Sequence, residues 1–192
     1  MSTFAIRAVG FCAHFSPAGD RALAFALQLA RRQNLRLNVF DFLADPYDPA
    51  PRAPQGLSAA ARATLLVERE RSLRLYYDER LGDYLDAGFR LCEDRGWTEL
   101  HRCLCKHEFQ FLVLAYPDPQ ATFEGTPIEG FAASFVCPVA LVGPGASTEI
   151  HLNQPAALIA DSLGLRPDQY TVVRAPVAGA SSGCAPQTLD LR

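Results

Sequence analysis

The stretch that most constrains this chain is residues 109–145. An apolar run, Phe109-Gln110-Phe111-Leu112-Val113-Leu114-Ala115-Tyr116, leads into a polar loop and a short segment with helix-start residues. A second apolar run, Cys137-Pro138-Val139-Ala140-Leu141-Val142-Gly143, closes the stretch. Runs of this length bounded by turn residues read as strands buried on both faces. Two such strands joined through a helix make a β-loop-α-β unit, and ligands of open α/β sheets sit where the strands end. A nucleotide bound to this unit has its phosphates at the helix start, near Gly125 and Thr126.

The rest of the chain repeats the alternation. Residues 5–12 read as the first strand. Ser16 and Pro17 then supply an N-cap and a first-turn proline, and Asp20 an acid where the helix dipole favours it. Leu23, Ala26, Leu27 and Ala30 share one helical face, and Asn34 can close the helix. Residues 35–43 read as strand two. Residues 45–56 hold Pro46, Pro49, Pro51 and Pro54 and read as an exposed loop. Ser58 caps a long helix predicted to reach about Ala87, with a break possible at Gly82 and Gly88 as a C-cap candidate. Residues 89–92 are a short third strand, and Trp97, Leu100 and Leu104 mark the next helix. The order β-α-β-α-β-α-β-α-β implies one five-stranded parallel sheet with helices on both faces. Past Gly145 the pattern weakens. Residues 155–163 suggest an amphipathic helix, 169–174 a short strand, and 178–186 a mobile Ala/Gly/Ser-rich segment.

With 192 residues, the chain has room for one domain, residues 1–144, and an extension, residues 145–192, expected to be ordered in part at most. A net charge of −3 provides no basic field for nucleic acid or an anionic membrane. No apolar run is long enough to span a bilayer, and the N-terminus lacks the order of a signal peptide. Cysteines such as Cys12, Cys92, Cys103 and Cys137 sit within apolar runs, as in a reduced cytoplasmic protein.

The order of elements, the Ser16-Pro17 loop and the ending Phe131-Ala132-Ala133-Ser134-Phe135-Val136-Cys137-Pro138-Val139-Ala140-Leu141-Val142 resemble a universal stress protein domain over roughly residues 3–144. That resemblance implies a Rossmann-like sheet of strand order 3-2-1-4-5. It also implies a homodimer whose two-fold axis lies near the last strand, Val139 to Val142, and ATP or AMP with Mg²⁺ as ligand. Members that bind ATP carry G-x2-G-x9-G-[ST] after strand four. Gly125 and Thr126 match its end, followed by Pro127. Val39 matches the strand-two position, and Ala13 and His14 lie where the first strand meets adenosine. Ala115 stands where the first glycine belongs, and the loop contains Pro117 and Pro119.

The residues themselves require no cofactor. A phosphate cradle needs backbone N–H groups unobstructed by Cβ, and proline has none to offer. Thr126-Pro127-Ile128-Glu129 fits a capping box that would occupy the helix start internally. No Lys or Arg occurs from His107 to Leu165, so a triphosphate needs a cation such as Arg21, or Mg²⁺ held by Asp118 or Glu124.

Cys12 and His14 form a candidate thiolate pair. Cys103, Cys105 and His107 form a sparse metal candidate, with Cys103 and His107 on one helical face. Three functions follow. The first is a non-enzymatic stress-response regulator with a degenerate nucleotide site, acting through its dimer and through partners of the extension. The second is an adenine-nucleotide binder with a rebuilt phosphate loop and slow hydrolysis at most. The third is a small redox enzyme using Cys12.

Overall fold

The computed structural model describes residues 6–45, 47, 56–93, 96–123, 125–145 and 150–174. The segment at 178–186 and most of the proline-rich loop at 45–56 lie outside the described residues. Elements follow as β1 (Ala8–Cys12), α1 (Pro17–Gln33), β2 (Arg36–Phe42), α2 (Ala59–Leu81), β3 (Ala87–Cys92), α3 (Gly96–Cys105) and β4 (Phe111–Ala115). A two-stranded hairpin, β5 (Thr122–Phe123) and β6 (Thr126–Pro127), precedes α4 (Ile128–Ser134) and β7 (Val139–Val142). The tail adds β8 (Ile150–Leu152), α5 (Gln154–Ala157), a 3₁₀ turn (Pro167–Gln169) and β9 (Tyr170–Val172).

Strands β3, β2, β1, β4 and β7 are parallel neighbours in that order, as the α/β reading expects. The sheet nevertheless has seven strands, not five. β8 pairs antiparallel with β7, and β9 parallel with β8. Strands of three residues are too short to show a period, which is why the tail's pattern reads as weak.

Alternation along each strand divides the core in two. Val9, Phe11, Leu37, Val39, Val113 and Val142 face α1 and α2. Phe40, Phe42, Leu112, Leu114 and Leu141 face α3 and α4. Ser16 caps α1, its Oγ accepting from the Gly19 N–H at 3.1 Å, and Asn34 closes it at φ 52°. Asp20 fastens α2 to α1 by accepting from the Tyr76 hydroxyl at 2.8 Å and Arg80 Nε at 3.0 Å.

Four local expectations are corrected. α2 ends at Leu81 instead of reaching Ala87, because Gly82 at φ +60° stops it. Gly88 is no C-cap; it lies inside β3, opposite Asn38. The helix expected over 155–163 is one α-turn, after which Ile159 N–H bonds Ala156 C=O at 3.2 Å in tighter turns that bring Leu163 into the core. The fourth correction, the start of α4, belongs to the site.

Asn153 holds the tail. It is fully buried, its Oδ1 accepting from Val139 N–H at 2.9 Å and Ala156 N–H at 3.1 Å. Its amide nitrogen donates to the Cys137 carbonyl at 2.8 Å. One side chain thus caps α5 and satisfies the entry to β7.

Candidate functional site

β1 and β2 end side by side, and the chain turns sharply after each. Ala13 N–H donates to the Phe40 carbonyl at 2.7 Å, the last bond before β1 leaves the sheet. The turn into α1 is so close that a Cβ on Gly19 would lie 1.7 Å from the His14 carbonyl oxygen, so only glycine fits there. His14 Nδ1 lies 2.6 Å from Ser16 Oγ. That Oγ also accepts from the Gly19 N–H, so it joins the ring to the first turn of α1, with the donor and acceptor of the His14–Ser16 bond set by the imidazole tautomer. Burial lowers the His14 pKa and so favours the neutral ring, while the Asp45 carboxylate partly offsets this.

Beside this turn lies a cleft of about 310 Å³, lined by Ala13, His14, Phe15, Asp41, Asp45 and Arg69 among others. Asp41 projects from β2 and is 2 % exposed. Arg69 of α2 meets it with a two-pronged grip, Nε to Oδ2 at 2.6 Å and Nη2 to Oδ1 at 2.9 Å. The guanidinium carbon also lies 5.1 Å from the centre of the Phe15 ring. A buried carboxylate needs such a partner.

On the β4 side the edge is filled. The Tyr47 hydroxyl donates to the Ala115 carbonyl, and burial pushes its phenol up, keeping the proton on. Its ring stands edge-on to His14 at 4.9 Å and to Phe123 at 5.5 Å. Phe123 in turn stacks on Phe131 of α4 at 4.2 Å. The loop after β4 is therefore a hairpin that carries an aromatic ring inward.

This hairpin overturns the capping box. The N-cap of α4 is Pro127, with no side-chain cap bond, and Thr126 pairs with Phe123 in the hairpin. The Ile128 N–H donates to the Ala121 carbonyl at 3.2 Å. Gly125 has φ +79° with nothing near it, so its conformational freedom serves the two-residue hairpin turn.

The candidate residues are thus dispersed. Ala13 and His14 line the cleft. Val39 lies beneath it in the core. Ala115 receives Tyr47, which joins it to His14, while Gly125, Thr126 and Pro127 are exposed on the hairpin. Arg21 donates to the Gly143 carbonyl at 2.7 Å, at the end of β7. Asp118 is engaged by the Gln120 N–H at 2.7 Å, and Glu124 lies outside the described residues.

Cys12 is 1 % exposed, and burial pushes its thiol well up, so it is a poor nucleophile. α3 ends at Cys105, leaving His107 outside it at φ 58°, so Cys103 and His107 share no helical face. Among the described residues no three His, Cys, Asp or Glu side chains are grouped to hold a metal ion. Among them, too, no helix is long and apolar enough to cross a membrane.

Asp41, Arg69 and Tyr47 are the site residues that sequence reasoning missed. A lone acid in the strand Val39-Phe40-Asp41-Phe42 was the available signal, because a charge in a doubly buried strand demands a partner.

No family model matches this chain, and no curated protein matches it. Solved structures do. A protein of the universal stress protein family from Burkholderia pseudomallei superposes with a TM-score of 0.50 at 19 % identity, covering 72 % of this chain and 96 % of that one. A universal stress protein from Archaeoglobus fulgidus gives a TM-score of 0.48 at 13 % identity, covering 70 % and 92 %. A universal stress protein in complex with cAMP gives 0.46 at 16 % identity, covering 73 % and 99 %. The first of these likenesses shows the fold: this chain has a universal stress protein-like fold.

Proposed function

We propose that this chain is a stress-response regulator of the universal stress protein type that acts through its surfaces, without turning over a substrate. In this reading its adenine-nucleotide crevice is closed by its own side chains. One observation carries it: Tyr47 bridges the ends of β1 and β4, hydrogen-bonded to Ala115 and edge-on to His14 and Phe123. That is the switch point where open α/β sheets place ligands. The hairpin beside it uses its glycine for a turn, and the loop leading into it contains Pro117 and Pro119, so this stretch offers phosphate few backbone donors.

A second reading keeps adenine nucleotide as ligand, favoured by the cleft at His14, Asp41 and Arg69. At about 310 Å³ it stands at the small end of ligand pockets, enough for a base but not for a triphosphate. Titration of the full chain with ATP, AMP and Mg²⁺ by calorimetry and thermal shift separates the two. The regulator reading expects no saturable heat and no shift, and a saturable shift rejects it. The second reading then requires Thr126→Ala with Gly125→Ala to weaken that binding.

A further inference from the structure

A cavity of about 360 Å³ shares no residue with the cleft at His14. It is lined by Arg62 of α2, by Arg90, Leu91 and Glu93 at the end of β3, and by Glu99 and Arg102 of α3. Among the described residues that line it, Leu91 is the one apolar member, and none is aromatic.

The register of β3 explains how the charges meet. Arg90 alternates with Cys92, which packs in the core beneath α3, so Arg90 stands on that face of the sheet. There it meets Glu99, a residue only 3 % exposed. Arg90 Nη2 donates to Glu99 Oε1 at 3.0 Å, and Arg102 Nη2 donates to Oε2. One buried carboxylate thus holds two guanidinium groups, one on each oxygen. From α2, Arg62 Nε donates to Glu93 Oε2 at 2.8 Å. Glu108, which does not line the cavity, accepts from Arg90 Nη1.

A buried carboxylate needs a partner, but one arginine would serve Glu99. Three arginines at one mouth exceed that need. Solvent reaches all of them, with side-chain exposures of 56 % at Arg62, 34 % at Arg90 and 50 % at Arg102. A guanidinium carries five N–H donors, so a carboxylate on one edge leaves it able to bind a second anion. Arg62 Nη1 and Arg90 Nε have no partner among the described residues. The carboxylates also fix the guanidinium positions in advance, which lowers the entropy a ligand must offset.

We infer that this cavity is a binding site for a small hydroxylated phosphate monoester. Its phosphoryl oxygens lie on Arg62, Arg90 and Arg102, and a hydroxyl donates to Glu93. The guanidinium fork matches phosphate geometry, which selects the anion. The absence of a ring in the lining gives a nucleobase nothing to stack on, so a polar aliphatic body is the better fit. The volume lies in the range of small-molecule pockets and has room for more than a bare phosphate.

The test is calorimetric titration of the full chain with glycerol 3-phosphate, inorganic phosphate and glycerol, in phosphate-free buffer at matched ionic strength. The expected result is saturable binding of glycerol 3-phosphate, weaker binding of inorganic phosphate and no heat from glycerol. Arg62→Gln and Arg102→Gln should each weaken glycerol 3-phosphate about tenfold, the loss of one charge-assisted hydrogen bond, with unchanged circular dichroism. Arg74→Gln, on the same helix as Arg62 but outside the lining, should leave the affinity as it is. If Arg102→Gln fails to fold, Arg62→Gln decides alone, since its pair with Glu93 is exposed. No saturable heat from glycerol 3-phosphate overturns the assignment. So does binding indifferent to both lining variants, and so does inorganic phosphate binding as tightly as the monoester. Neither variant touches the cleft at His14, so adenine-nucleotide binding there would survive both.

Discussion

The carboxyl ends of β2 and β4 lie on the same edge of one sheet, yet they are finished in opposite ways. β2 ends in a charged pair, Asp41 with Arg69, beside an open cleft. β4 ends under packed rings, with Tyr47 on the Ala115 carbonyl and Phe123 between Tyr47 and Phe131. A universal stress protein-like fold does not by itself determine which part of this sheet edge stays open. The loops decide: the β4 loop folds into a hairpin that brings a ring inward, while the β2 side keeps a charge that must stay hydrogen-bonded.

The contrast predicts different costs on the two sides. Phe123 is fully buried and touches Phe42, Tyr47 and Phe131 edge-on or stacked. Phe123→Ala should cost about 4 kcal/mol in urea unfolding, the transfer of a ring plus the cavity left behind. A loss under about 1 kcal/mol would mean the hairpin is loosely docked, and the filled half of the comparison would fail. Arg69→Ala strands a buried carboxylate and should cost about 3 kcal/mol, the low end for a broken buried pair. The low end applies because Arg69 keeps 38 % of its side chain exposed. Replacing both partners together, Asp41→Leu with Arg69→Met, should cost less than Arg69→Ala alone. If the double variant were the worse one, the pair would contribute net stability beyond mutual neutralisation.

The same contrast shows what a sequence makes legible. Long elements announced themselves, because a buried parallel strand or a capped helix repeats one pattern over many residues. Ser16, Asn34 and the apolar run at Phe111–Ala115 all stand where their local chemistry places them. The β5–β6 hairpin did not, because two-residue strands have no period and Gly125-Thr126-Pro127 fits a helix start equally well. What decided between them was Phe123 finding a pocket among rings from β2 and α4, a tertiary fact. The Asp41–Arg69 pair was half visible, as an acid where none should be, but its partner was one arginine among many on a charged helix. β8 was hidden for a similar reason. Its place depends on Asn153, whose bonds to Val139 and Cys137 connect residues fourteen and sixteen positions away.

The smallest effect lies where the two halves meet, at His14. Burial lowers its pKa from the ordinary 6.5, so the unfolded chain takes up a proton at a higher pH than the folded one. Between those two values the unfolded state holds more protons, and stability rises with pH. This contribution is complete above about pH 6.5, is lost as pH falls toward the lowered folded value, and is constant below it. His101, lowered by burial as well, adds to wild type and variant alike. The difference between wild type and His14→Gln, followed by urea unfolding from pH 7.5 to 5, therefore isolates His14, with the variant losing less on acidification. Asp45→Asn should steepen the wild-type loss, since the Asp45 carboxylate is what holds the imidazole pKa up. Superimposable curves for wild type and His14→Gln would mean that His14 is solvated like any surface histidine. The cleft would then be an indentation filled with bulk water, and only the β4 half of the edge would be a built structure.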